Sequence, residues 1–188
     1  AHPLITDDTG TQGKGKFQIE VNSEFGHDKE AGVTENRFEI ATVLSYGIFD
    51  NLDIVLGIPY QHIKVKDSGA SFSEGGLSDI SLELKWRFYE KDGLSFALKP
   101  GITFPAGDEE KGLGTGKATY GAFLIGTKTI EPWAFHLNLG YVRNENKSDE
   151  REDIWHASIA AEYEVIKDLK VVANIGTESN PDKSTSTN

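Results

Sequence analysis

The chain has 188 residues, which is the usual size of one domain. Its 19 Lys plus Arg and 30 Asp plus Glu residues give a formal net charge of −11, which excludes a basic nucleic-acid groove. With no Cys, the chain has no disulfide framework, no thiolate nucleophile and no Cys-ligated metal site. The mean hydropathy of −0.41 argues against a transmembrane helix but not against a transmembrane β-barrel, whose alternating strands produce no hydropathy peak.

A two-residue period dominates the chain, whereas the 3.6-residue period of helices is almost absent. The pattern predicts an all-β chain of nine antiparallel strands, at residues 16–25, 37–48, 52–65, 77–89, 94–104, 117–129, 133–143, 154–165 and 169–177. The sixth strand is ambiguous, because Tyr120 and Leu124 lie on the opposite parity from Phe123 and Ile125.

The predicted connections alternate between short and long. Those after strands two, four, six and eight are tight, whereas polar stretches follow the others, at residues 26–36, 66–76, 105–116 and 144–153. Aromatic residues also collect at both ends of the apolar face, for example Trp86 at one end and Tyr60 at the other. Both features are typical of outer-membrane barrels, so we predict an up-and-down transmembrane β-barrel in a bacterial outer membrane, with the lipid bilayer as its partner.

The two ends of the chain carry further expectations. The chain has no Met, even at position 1, and Ala1 is the kind of small residue that flanks signal cleavage sites, so we expect an exported protein with its signal removed. Bacterial single-chain barrels have an even number of strands, whereas nine are predicted here. Residues 179–188 are predicted to form a polar tail or external loop. We therefore predict a single barrel domain over residues 1–188 that lacks its C-terminal strands, and a monomer unless its open edge strands pair with another chain.

Several short motifs, in their order along the chain, resemble one family. They are residues 2–13, 56–60, 76–81, 104–108 with 112–116, and 136–141. The family consists of outer-membrane channel-like barrels assigned as transporters linked to the meta-cleavage pathway of phenol degradation. The resemblance covers residue 1 to about residue 182, and it implies a monomeric barrel of twelve strands that admits small, often hydrophobic molecules. The resemblance also implies roughly three further strands beyond residue 188.

The polar face of the predicted strands would line the lumen. The candidate lumen-lining residues are Glu20, Arg37, Glu39, Glu83, Lys85, Arg87, Lys99, His136, Asn138, His156 and Glu162. Because both signs of charge are interleaved, we expect structural ion pairing more than a selective transport site. The two histidines share a face on adjacent strands, but no third ligand is spaced to join them, so we predict no metal and no cofactor.

A glycine-rich connection follows the fifth strand, and we predict that it caps the mouth of the barrel. The candidate cap residues are Pro105, Asp108, Gly112, Gly114 and Gly116. A phosphate-binding loop does not fit here, because the spacing is short by one residue and strands, not a helix, flank the run. His156 and Ser158 lack an orienting carboxylate, so we predict no enzyme.

The sequence therefore predicts a passive outer-membrane channel for small, hydrophobic or aromatic molecules, with no nucleic-acid partner. Two other classes stay open. One is a soluble exported ligand-binding barrel of lipocalin type, in which the apolar face points inward. The other is a structural surface barrel with a plugged lumen. Inverting the inside and the outside preserves the period, so alternation alone does not separate the channel from the lipocalin-like barrel.

Overall fold

The computed structural model describes residues 5–30, 32–67, 70–181 and 183. Within them the chain forms ten strands and one short 3₁₀ helix, Glu109–Lys111. The strands are β1 Phe17–Glu30, β2 Val33–Phe49, β3 Leu52–Asp67, β4 Ala70–Leu77, β5 Ile80–Lys91, β6 Leu94–Phe104, β7 Thr119–Ile130, β8 Trp133–Arg143, β9 Asp153–Ile166 and β10 Leu169–Glu178. No helix in the described part is long and apolar enough to cross a membrane.

The strands form one curled antiparallel sheet, in the order β1-β2-β3-β5-β6-β7-β8-β9-β10. β3 has two partners on one side: its first half pairs with β5 and its second half with β4. Apart from β4, which pairs with β3 alone, neighbouring strands follow one another in sequence, so the predicted all-β, antiparallel up-and-down arrangement is confirmed. Among the described residues, β1 and β10 each pair on one side only.

Two of the four predicted long connections are instead mostly strand. β1 and β2 continue their ladder from Phe25, opposite Phe38, to Glu30, opposite Val33. β4 occupies most of residues 66–76 and pairs with β3 as far as Asp67. The alternation signal fails here because both faces of these hairpin ends are polar, while the ladder still satisfies the backbone. The other two long connections, around residues 105–118 and 144–152, are loops as predicted.

The opposite end of the sheet has tight turns. Between β5 and β6, Asp92 and Gly93 both have positive φ, 50° and 72°, the conformation that two-residue hairpin turns of type I′ require. A Cβ atom at Gly93 would lie 2.7 Å from the carbonyl oxygen of Thr129, so the turn has no room for a side chain. The predicted short connection between these two strands is thereby confirmed.

The two faces of the sheet differ sharply in polarity. Large apolar side chains on the outer face are exposed, for example Phe17 at 73% and Trp155 at 64%. The polar side chains alternate with them and line the concave face, where Asn138 is 2% exposed. The ambiguous β7 keeps the alternation of exposure but not that of polarity, because Tyr120 and Leu124 are exposed on the outer face and the apolar Ile125 is fully buried on the inner one.

The structure describes only part of each terminus of the chain. Residue 1 and residues 2–4 of the motif at 2–13 lie outside the described residues, as do residues 182 and 184–188 of the predicted tail. The described part of the tail comes after β10 and runs beside the start of β9, where the backbone N–H of Ser179 donates to the carbonyl of Trp155 at 2.9 Å. Arg151 donates to the carbonyl of Pro181 at 2.7 Å, so the tail packs against the 144–152 loop.

Candidate functional site on the concave face

Residues 5–16, hereafter the N-terminal segment, cross the concave face before β1 begins. The segment has no strand or helix of its own. At one end it contacts β8 through Asn138, and further along it contacts β7 and β6. At the other end it reaches β3 and the turn before it through Asp53 and Asp50. It therefore spans the width of the curled sheet and fills part of its interior.

Asn138 holds the segment at the β8 end by its side-chain amide. The amide oxygen accepts the backbone N–H of Asp7 at 2.8 Å, and the amide nitrogen donates to the carbonyl of Asp7 at 2.7 Å. Two residues after Asp7 in the segment, the hydroxyl group of Thr9 lies 2.5 Å from that of Ser95, and both are buried. These side-chain contacts give the segment the hydrogen bonds that a strand partner would otherwise supply.

The side chain of Asp7 lies between two lysines of the sheet. Its Oδ1 is 3.0 Å from Nζ of Lys85, and its Oδ2 is 3.5 Å from Nζ of Lys99. Lys99 also pairs with Glu83 at 3.1 Å, and Asp8 lies 3.8 Å from Lys85. Burial alone would raise the pKa of Asp7, but the attraction of the two ammonium groups outweighs it and lowers the pKa from 3.8 to about 2.

Acid should therefore loosen the N-terminal segment. Because the pKa of Asp7 is lower in the folded state, its ion pairs contribute stability above about pH 4, and that contribution is lost as the pH falls from about 4 to 2. The shift is worth about 2 kcal/mol. A fluorophore on Thr11→Cys, which would be the sole cysteine of the chain, should lose anisotropy in this window. The same probe in Asp7→Asn should show no such transition, and an unchanged transition in that variant would contradict the assignment.

At its β2 end, the segment packs directly against the backbone of a glycine, Gly47. Gly47 exchanges backbone hydrogen bonds with the segment, accepting from Gly15 at 2.8 Å and donating to Lys16 at 2.9 Å. A Cβ atom at Gly47 would lie 2.0 Å from the carbonyl oxygen of Gly13. Next to it, Oδ2 of Asp53 accepts the N–H of Gln12 at 2.9 Å. Close backbone approach thus fixes where the segment turns into β1.

A cavity of about 620 Å³ lies between the segment and the sheet. Apolar side chains, including Phe123 and Ile125, form part of its wall. Its charged lining consists of six carboxylates and two ammonium groups: Asp7, Asp8, Glu20, Asp53, Glu83 and Glu178, with Lys85 and Lys99. The interior of the sheet is therefore polar, net acidic and partly occupied.

The structure places the sequence-predicted lumen residues on the concave face but not in one cluster. Glu83, Lys85, Lys99 and Asn138 converge on Asp7. Most of the others make separate local contacts. The ion pairs are Arg37 with Glu35, Arg87 with Glu90, His136 with Glu162, His156 with Glu178, and Glu162 with Lys170, and the hydrogen bonds are Glu39 with Gln61, His136 with Thr127, and His156 with Ser158. Glu20 lines the cavity. Ion pairing inside the sheet is thus extensive.

The two histidines do not face a common centre. Nδ1 of His136 is 2.9 Å from the hydroxyl of Thr127, and its Nε2 is 3.6 Å from Glu162. His156 instead lies between Ser158 at 3.0 Å and Glu178 at 3.1 Å. In the described part of the chain, no three His, Asp or Glu side chains group in a way that could hold a metal ion.

The glycine-rich loop that contains Pro105, Asp108, Gly112, Gly114 and Gly116 folds onto the break between β4 and β5. Asp79, in that break, accepts the N–H of Gly107 at 3.0 Å, and both the N–H and the hydroxyl of Thr115 at 2.8 Å. Leu113 is 3% exposed and its carbonyl accepts the Ser78 hydroxyl at 2.6 Å. These contacts anchor the loop to the sheet.

Removing the Asp79 carboxylate should free this loop. We expect Asp79→Ala to raise hydrogen exchange in residues 105–118 by about 10- to 100-fold, because three hydrogen bonds to one ionised group are lost. Asp108→Ala is the matched control, since Asp108 makes a local bond to Glu110 at 3.1 Å within the same loop. Equal exchange in the two variants, measured by mass spectrometry, would contradict the anchoring role of Asp79.

The N-terminal segment itself is the part of the site that the residue pattern missed. Asp7 and Lys85 are 78 positions apart, and the segment has no periodicity that would orient it. Only the structure reveals the need for it, because Asn138 and Lys85 alternate onto the polar face yet are almost fully buried, and a buried ammonium group needs a partner.

Fold and site together define the class of this protein, an antiparallel up-and-down β-barrel sheet with a polar interior crossed by its own N-terminal segment. The chain belongs to the family described as "Putative MetA-pathway of phenol degradation", whose model matches residues 3–187. The family resemblance inferred from the short motifs is thereby confirmed. The description links the family to phenol degradation. A comparison with curated proteins gave no match.

Proposed function

We propose that this protein is an outer-membrane β-barrel that works as a passive channel for small molecules, including hydrophobic or aromatic ones. The observation that carries the proposal is the distribution of polarity, with exposed Phe, Trp and Leu side chains outside and paired charges inside. A water-soluble monomer rarely exposes so much contiguous apolar surface, whereas a membrane barrel requires it. The family's link to phenol degradation supports aromatic permeants.

The same distribution counts against a lipocalin-like barrel, which would turn its apolar side chains inward. In a bilayer, the outer edges of β1 and β10 would have to be paired, because an open sheet edge is not tolerated in lipid. The mechanism would be diffusion down a concentration gradient through the interior, with no covalent chemistry. The N-terminal segment and the loop around Leu113 would set the width of the path.

A second candidate function is a structural surface barrel with a plugged interior. The segment across the concave face and the ion pairs beneath it favour this alternative. The two candidates differ in permeation alone. Liposome swelling with sugars of graded size would separate them, because only the channel admits the small sugars.

Membrane partition tests both candidates against a soluble protein. The chain is expressed with an export signal, and its outer-membrane fraction is washed with alkaline carbonate. We expect retention in the membrane and a heat-dependent shift on gels, which is the behaviour of a folded transmembrane barrel. Release as a folded soluble β-protein would overturn the proposal.

A further inference from the structure

We propose that Lys85 and Lys99 form a binding site for an organic monocarboxylate, and that Asp7 of the N-terminal segment occupies this site in the structure as a built-in ligand. The proposal goes beyond the channel function and concerns binding only. It holds whether or not the barrel conducts, so its failure and the failure of the channel proposal are distinguishable.

The geometry around Asp7 is that of a carboxylate in a receptor. Each carboxylate oxygen faces a different ammonium group, Lys85 at 3.0 Å and Lys99 at 3.5 Å. The side chain of Lys85 is 10% exposed, so its charge is largely withdrawn from water and needs a counter-charge. Any carboxylate that reaches the two lysines finds a preformed, desolvated site.

Asp7 is well placed to be displaced, because it does not belong to the sheet. It lies in a segment without strand pairing, which is held to the sheet by hydrogen bonds from side chains such as Asn138 and Thr127. A ligand carboxylate would replace the Asp7 carboxylate one for one, so the local charge around the lysines would not change. Lys99 would keep its ion pair with Glu83 at 3.1 Å throughout.

The surroundings define the class of ligand. The adjacent cavity of about 620 Å³ offers Phe123 and Ile125 as apolar wall, which suits an aromatic or aliphatic body. The carboxylates of Glu20, Asp53 and Glu83 line the same cavity and would repel a second negative charge. The site therefore suits a monocarboxylate with an uncharged body and disfavours a dicarboxylate.

The direct test uses the full chain in detergent micelles, with benzoate as the probe and calorimetry as the readout. Asp7→Asn keeps the backbone bonds to Asn138 but vacates the charge, so we expect it to bind benzoate at least about tenfold more tightly than the wild type. The matched control is Asp8→Asn, which changes the neighbouring acid, 3.8 Å from Lys85, and should gain nothing. Benzamide and phthalate should bind Asp7→Asn weakly, because one lacks the charge and the other carries two.

Adding Lys85→Gln to Asp7→Asn should remove the gain. The proposal is overturned if Asp7→Asn binds no better than the wild type, if binding survives Lys85→Gln, or if benzamide or phthalate binds as well as benzoate. Hydrogen exchange on the wild type decides the question even if the variants fail to fold. Saturating benzoate should raise exchange at the amides of Asp7 and Thr9 several-fold and leave that of Thr115 unchanged; no change at Asp7 and Thr9 would also overturn it.

Discussion

Ile175→Arg should destabilise the protein in lipid vesicles by about 2–4 kcal/mol, because it places a charge on the outer face near the middle of the barrel wall. Ile175 is 69% exposed and lies opposite Ile159 of β9. In the proposed orientation its side chain contacts lipid tails. The measurement is urea unfolding of the vesicle-bound protein, followed by tryptophan fluorescence.

The neighbouring residue supplies the control for this substitution. Asn174 precedes Ile175 on β10 and lies on the concave face, opposite Ala160. Asn174→Arg should change the free energy of unfolding by no more than about 0.5 kcal/mol, because its side chain would remain in a wet interior. Equal losses at the two positions would contradict the assignment of the outer face to lipid.

Asn138→Ala should release the N-terminal segment from the sheet. The substitution removes both hydrogen bonds to the backbone of Asp7, at 2.8 and 2.7 Å, and leaves two partly buried backbone groups without these partners. We expect the local opening free energy to fall by about 2–3 kcal/mol, so that the amides of the segment exchange roughly 30- to 160-fold faster. If the segment narrows the channel, the same variant should admit larger solutes in liposome swelling.

Asn36→Ala is the matched control for this second substitution. Asn36 also hydrogen bonds through its side chain, to His27 at 2.8 Å, but at the far hairpin of β1 and β2. Its loss should leave the exchange of residues 5–12 unchanged. Unchanged exchange in Asn138→Ala as well would show that the amide of Asn138 does not hold the segment.

The alternation of apolar and polar residues predicted most of the sheet. In a strand with one apolar and one polar face, the alternation shows which side chains lie on each face. Trp86 and Tyr60 were expected on the apolar, outer face and are exposed there, and Lys85 and Asn138 face the opposite side. The pattern failed at β4, where apolar Phe72 has only small or polar neighbours along the chain. A ladder of backbone hydrogen bonds holds such a stretch without any hydrophobic signal.

Only part of the candidate site was predictable, because a segment without a periodic pattern gives no signal in the sequence. The charged lining followed from parity, but its partner did not, because Asp7 reaches Lys85 across 78 positions through a segment with no period. The anchoring of the glycine-rich loop was missed likewise, since Asp79 acts on Gly107 and Thr115 through tertiary contacts alone. Such contacts depend on where the sheet curls, which local sequence does not encode.

The most direct test of the central claim, that the apolar face is the outer, lipid-facing one, uses the three tryptophans of the chain. Trp86, Trp133 and Trp155 all lie on the outer face, 48%, 44% and 64% exposed. In vesicles of brominated phospholipid, their fluorescence should be strongly quenched, while iodide in the water should quench it little. Strong quenching by iodide with none by brominated lipid would contradict the account.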